Sequence, residues 1–137
     1  MAIIVIYSSH LKSQNQNMSF LTQPPQYLYK LVTQSQWEST KQLGINYKQG
    51  SDLDQQDGYL HISTAKQIER ISNKYFGDLE NGKMIKLDYK KIENILKWEP
   101  NSKGEYFPHC YGQIPLSAVI DVYDFSIHSF DFKKLEY

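Results

Sequence analysis

Gly58-Tyr59-Leu60-His61-Ile62-Ser63-Thr64 is the stretch on which the fold of this chain turns. Asp57-Gly58 is a turn signal, and the residues behind it alternate as a short strand does. Period two sets Leu60 and Ile62 on one face, and Tyr59, His61 and Ser63 on the other. With the Leu/Ile face on the core, His61 points into a cleft. Thr64 then caps a helix with Gln67 three residues on, and Ile68, Ile71, Tyr75 and Phe76 form its apolar stripe until Gly77 stops it. A strand that passes into a helix through two hydroxyls suits a ribose or phosphate, because the helix N-terminus adds amide donors to Ser63 and Thr64.

Working outward, Tyr27 to Val32 is an aromatic and branched run of strand type. Thr33 and Ser35 offer N-caps with Gln36 and Glu38 at capping-box distance, and Gly44 closes a helix through Leu43. On the other side, Asn81-Gly82 is a tight turn into a strand from Met84 to Asp88, and Ile95 to Glu99 gives another before Pro100. Asn101 to Gly104 is a loop, Tyr106 to Tyr111 is extended, and Ala118 to Phe125 alternates as a half-buried strand. The sum is an α+β domain with a mostly antiparallel sheet and two main helices. Ser8 to Gln26 is rich in Ser, Gln and Asn with a Pro24-Pro25 pair, so residues 1–26 read as an extension or linker and 27–137 as the single domain.

The 137 residues, 40% of them hydrophobic, suffice for one core. Fifteen basic residues balance fifteen acidic ones, so no global field favours nucleic acid or an anionic membrane. A lone Cys110 excludes an internal disulfide framework and fits a reducing compartment, with the cytoplasm as the default. The apolar start, Ala2 to Tyr7, lacks the basic flank and cleavage pattern of a signal peptide and is too short to span a bilayer.

Three stretches carry side chains suited to chemistry. His61 has aromatic and hydroxyl neighbours. Phe107-Pro108-His109-Cys110-Tyr111-Gly112 puts Phe107, His109 and Tyr111 on one face, an aromatic wall for a planar ligand or an ordinary hydrophobic edge. Glu99 follows Trp98 and faces away from it; a carboxylate beside an aromatic in a half-dry site has a raised pKa or stabilises a developing sugar cation, and on a surface it pairs with Lys97 or Lys103. Two histidines and one carboxylate also make a facial metal set, so a metal-dependent hydrolase using His61, His109 and Glu99 is a third reading. No two histidines have the close spacing of a metal motif, and no metal is expected. Cys110 has no basic neighbour on its own face and is not expected to be a catalytic thiol. His10 and His128 lie in the linker and the tail and are given no role.

Together these residues resemble the family known as domain of unknown function 952. The resemblance is carried by Tyr29-Lys30, Trp37-Glu38, Gly58 to Thr64, Trp98-Glu99, Phe107 to Gly112 and Pro115-Leu116-Ser117-Ala118-Val119, and covers roughly residues 27 to 125. It implies a fold similar to the catalytic domain of ADP-ribosyltransferases, in which a split sheet holds NAD. In that larger group a histidine binds the nicotinamide-side ribose, an aromatic stacks on nicotinamide, and a late glutamate stabilises an oxocarbenium-like transition state. By position His61 resembles the first, and Glu99 and Tyr111 are candidates for the others. The resulting expectation is a cleft lined by His61, Ser63, Thr64, Glu99, Phe107, His109 and Tyr111 that binds NAD or a related nucleotide, with a non-catalytic small-ligand or peptide module as the rival.

Overall fold

The computed structural model describes residues 23–137. Its strands form two three-stranded antiparallel sheets. In the first, β1 (Tyr27–Thr33) and β6 (Val119–Phe125) flank β3 (Gly82–Asp88). In the second, β2 (Leu60–His61) and β4 (Leu96–Pro100) flank β5 (Tyr106–Cys110). The sheets meet where Tyr29 and Ser63 form a backbone bridge, with N–H to O distances of 2.8 and 3.0 Å. This is an α+β architecture with antiparallel sheets.

Among the described residues four α-helical segments fill the connections: α1 (Gln34–Thr40), α2 (Asp52–Asp57), α3 (Ala65–Tyr75) and α4 (Tyr89–Ile92). Among the described residues no helix is long and apolar enough to cross a membrane. The expected extension falls largely on residues 1–22, and His10 with it, outside the described residues. Gln26 donates to the Tyr137 carbonyl at 2.8 Å, so the last part of the expected linker is tied to the C-terminus.

Alternation along β1 explains the core. Leu28 and Val32 join Ile85, Leu87, Leu60, Leu96 and Trp98 in one buried cluster. Tyr29 and Leu31 join Met84, Phe125 and Ile68 in the other. The first sheet therefore packs α3 and the C-terminal aromatics on one face and the second sheet on its other. Lys30 falls between Leu28 and Val32 and is only 4% exposed, so its ammonium must find partners inside.

Several boundaries differ from expectation. The first helix ends at Thr40, with the amides of Leu43 and Gly44 both bonding back to the Thr40 carbonyl. Tyr75 is 54% exposed and Ile71 is half-buried, so the α3 stripe narrows to Ile68 with Phe76 beyond the helix end. The strand expected from Tyr59 to Ser63 is registered with β5 at Leu60 and His61, with one more bond from the Ile62 amide to the Pro108 carbonyl at 3.2 Å, before Ser63 crosses to β1. Helix α2 was not anticipated at all.

Candidate functional site

The second sheet carries the site on its outward face. Register places His61 opposite His109, His109 opposite Lys97, and Phe107 opposite Glu99, so alternation gathers these side chains on one side while Leu60, Leu96, Trp98 and Cys110 turn to the core. The two imidazoles lie edge to face with ring centroids 5.4 Å apart. Tyr59 sits between them, 4.7 Å from His61 and stacked at 4.2 Å on His109, and its ring is 5.0 Å from that of Tyr111.

Each histidine has its own carboxylate. Glu99 Oε1 accepts from His109 Nδ1 and from the Tyr111 hydroxyl, both at 2.7 Å. Burial raises the Glu99 carboxyl, but these two donors outweigh it and hold the group below its ordinary range. The raised pKa expected for Glu99 is therefore corrected, and its partner is His109 rather than a surface lysine. Burial lowers His109 despite the support of Glu99, which favours the neutral ring. With Nδ1 committed to Glu99, His109 Nε2 has no partner among the described residues.

His61 is held differently. Its Nδ1 lies 2.7 Å from Asp54 Oδ1, and its backbone N–H donates to the same oxygen at 2.9 Å. Its Nε2 lies 3.0 Å from Asp57 Oδ2. With a carboxylate on each nitrogen, both contacts are hydrogen bonds only when the ring carries both protons. Behind it, the fully buried Asp54 forms an ion pair with Lys30 at 2.8 Å, and Lys30 also donates to the His61 carbonyl at 3.0 Å. Burial alone would raise the Asp54 carboxyl; the hydrogen bonds from His61 and the Lys30 charge reverse this and hold it far below the usual range.

Sequence placed His61, Glu99, His109, Tyr111 and Phe107 on this face, where the structure brings the first four into one connected cluster. Ser63 and Thr64 do framework work. Both are buried: Ser63 bridges the sheets, and the Thr64 amide is taken by Gln67 Oε1 at 3.1 Å as α3 begins. Cys110 is buried and its thiol pushed up by that burial, which suits an inert core residue. His128 is exposed in the turn after β6.

Lys30, Asp54, Asp57 and Tyr59 were missed as members of the site. The signal for one of them was present: Ser51 and Asp54 have capping-box spacing, and the Ser51 hydroxyl and Asp54 side chain do exchange bonds with each other's backbone at 3.1 Å. Three of the four imidazole nitrogens are spent on carboxylates, and among the described residues no group of three His, Cys, Asp or Glu is placed to hold a metal ion.

The family model described as Protein of unknown function (DUF952) matches residues 31–122, a span that includes every member of this cluster except Lys30. The chain belongs to the DUF952 family. Among solved structures, the crystal structure of the protein CC0527 from Caulobacter crescentus is 28% identical, with a TM-score of 0.65 over 72% of this chain and 84% of that one. The solution NMR structure of the same protein gives a TM-score of 0.61 over the same shares. No match is found among curated proteins. The DUF952 span takes in both histidines and their carboxylates, so the cluster lies inside the family's domain.

Proposed function

We propose that this DUF952 protein binds NAD or a related nucleotide on the outer face of its second sheet, in the manner of an ADP-ribosyltransferase-like fold. The observation that carries the reading is the pair of opposed histidines, 5.4 Å apart, each backed by a carboxylate and framed by Tyr59 and Tyr111. The two sheets, which meet at the Tyr29–Ser63 backbone bridge, agree with a split sheet. A ribose diol presents donors and acceptors side by side, and the His61 Nε2 and Asp57 Oδ2 pair offers the complementary set. The Tyr59 ring, close to the carboxylates of Asp57 and Glu99, suits a planar cationic ring such as nicotinamide in NAD, while the Tyr111 ring already carries the Lys97 ammonium 4.6 Å from its centroid. Any chemistry is glycosyl transfer without a metal, with His61 fixing the ribose. The buried, unreactive Cys110 fits a cytoplasmic setting.

Titration calorimetry with NAD and ADP-ribose tests this. Wild type should bind at least one of them at sub-millimolar concentration, and His61→Ala should weaken binding by about tenfold or more, the loss of one charge-assisted hydrogen bond. Absence of heat with wild type at millimolar ligand ends the reading.

A further inference from the structure

The two histidines are not equivalent, and the difference assigns them different work. His61 has a carboxylate at each nitrogen, Asp54 at Nδ1 and Asp57 at Nε2, so neither ring nitrogen is left without a partner. His109 has one carboxylate, at Nδ1, and its Nε2 meets no described group. An imidazole whose Nδ1–H is pinned by a carboxylate presents its Nε2 lone pair in a fixed direction. Glu99 Oε1 receives both His109 Nδ1 and the Tyr111 hydroxyl, so this oxygen is spent on holding the His109 ring.

We propose that His109 is the general base of this site and that the group it activates is a hydroxyl, so that a ribosyl unit passes from NAD to an oxygen acceptor. This rests on the NAD-binding reading above and goes beyond it in naming the base and the acceptor class. As the acceptor oxygen forms its bond to the ribose C1′, the C1′–nitrogen bond breaks and its electron pair returns to the pyridinium ring, which leaves as neutral nicotinamide. The acceptor proton passes to His109 Nε2 and then to solvent, and nothing is oxidised or reduced. Glu99 is a positioning residue: it holds the His109 ring and supports its charge as the proton arrives. The pH response of His109 is set by the groups that face it: Glu99 and Lys97 from β4, His61 from β2, Asp57 and Tyr59 around the turn before it, and Tyr111 beyond its own strand.

The test uses the full chain with NAD, water and methanol as acceptors, and chromatographic release of nicotinamide between pH 5 and 8, beside calorimetric NAD binding. Wild type should release nicotinamide, with a rate that rises with pH through a midpoint below the ordinary histidine value of about 6.5, since burial favours neutral His109. His109→Gln keeps a donor toward Glu99 but has no base; release at saturating NAD should fall by about a hundredfold or more, a loss in turnover beyond any change in NAD affinity read by calorimetry. Glu99→Gln should slow release and move the midpoint of the rise to lower pH, because Glu99 raises His109; a purely structural role would leave the midpoint in place. NAD bound without any nicotinamide release, or release by His109→Gln at the wild-type rate, overturns the inference and leaves the binding reading standing. Failure of wild type to bind NAD overturns the inference, and failure to bind ADP-ribose as well overturns the binding reading with it.

Discussion

Asp54 is the residue on which the site's rigidity rests. It is fully buried, yet its two oxygens receive four donors: the His61 ring and backbone amide at one, Lys30 and the Ser51 amide at the other. Such a carboxylate is stable only while all its donors are present, because taking an ion out of water costs more than any one contact returns. Asp54→Ala leaves Lys30 charged and buried with only the His61 carbonyl, and should lower stability by about 3–5 kcal/mol. The double change Lys30→Met with Asp54→Leu removes the charge as well as its partner and should recover most of that loss. Urea denaturation of the three proteins decides it; a double variant no more stable than Asp54→Ala would mean that the site depends on geometry rather than on charge pairing. In either variant the His61 ring loses its Nδ1 acceptor, which should appear as altered imidazole nitrogen shifts in NMR spectra.

At the scale of elements, α2 and the turn that follows it set both ends of the cluster. Asp57 closes α2, Gly58 adopts φ +79° at its C-cap, and Tyr59 enters β2 beside the two histidines. A side chain at Gly58 would meet no atom within 4 Å, so the demand for glycine there is purely conformational. Gly58→Ala should therefore cost about 1–2 kcal/mol, the penalty of a left-handed backbone for an ordinary residue, with no added steric loss. Thermal unfolding measures it, and a cost well above that range would show that the turn is crowded. This helix was hard to read from sequence for a physical reason. Of its residues Asp52 to Asp57, only Leu53 is apolar, and Leu53 is 37% exposed; the inward residue is an aspartate, so no apolar stripe exists to betray the helix. The strands around His61 and His109 were legible because Leu60, Trp98 and Cys110 alternate with the site residues. The cap on α1 was legible too: Thr33 and Gln36 exchange bonds at 3.1 and 2.8 Å. What period two cannot supply is which strand lies beside which, and so the pairing of His61 with His109 came only from the folded chain.

For the whole molecule, the site makes folding sensitive to acid in two separate ranges. His109 is lowered in the folded state by burial, so when pH falls through about 6.5 the unfolded chain takes up a proton that the folded chain refuses. Stability from this source is fully present above that pH and declines below it. Asp54 and Glu99 are held below their ordinary range, chiefly by the donors from His61 and Lys30 in one case and from Tyr111 and His109 in the other, despite burial. Their contribution is complete above about pH 4 and is lost as pH falls toward their folded values. A plot of melting temperature against pH should therefore show one decline that begins below about pH 6.5 and a second, steeper one below about pH 4. His109→Gln should flatten the first decline and keep the second, while Asp54→Asn, less stable throughout, should weaken the second and keep the first. The comparison is between slopes, so the lower baseline of a destabilised variant does not hide the effect. If His109→Gln keeps the wild-type slope above pH 5, burial of a neutral His109 is not what couples this fold to acid, and the base assigned to the site loses its structural support as well.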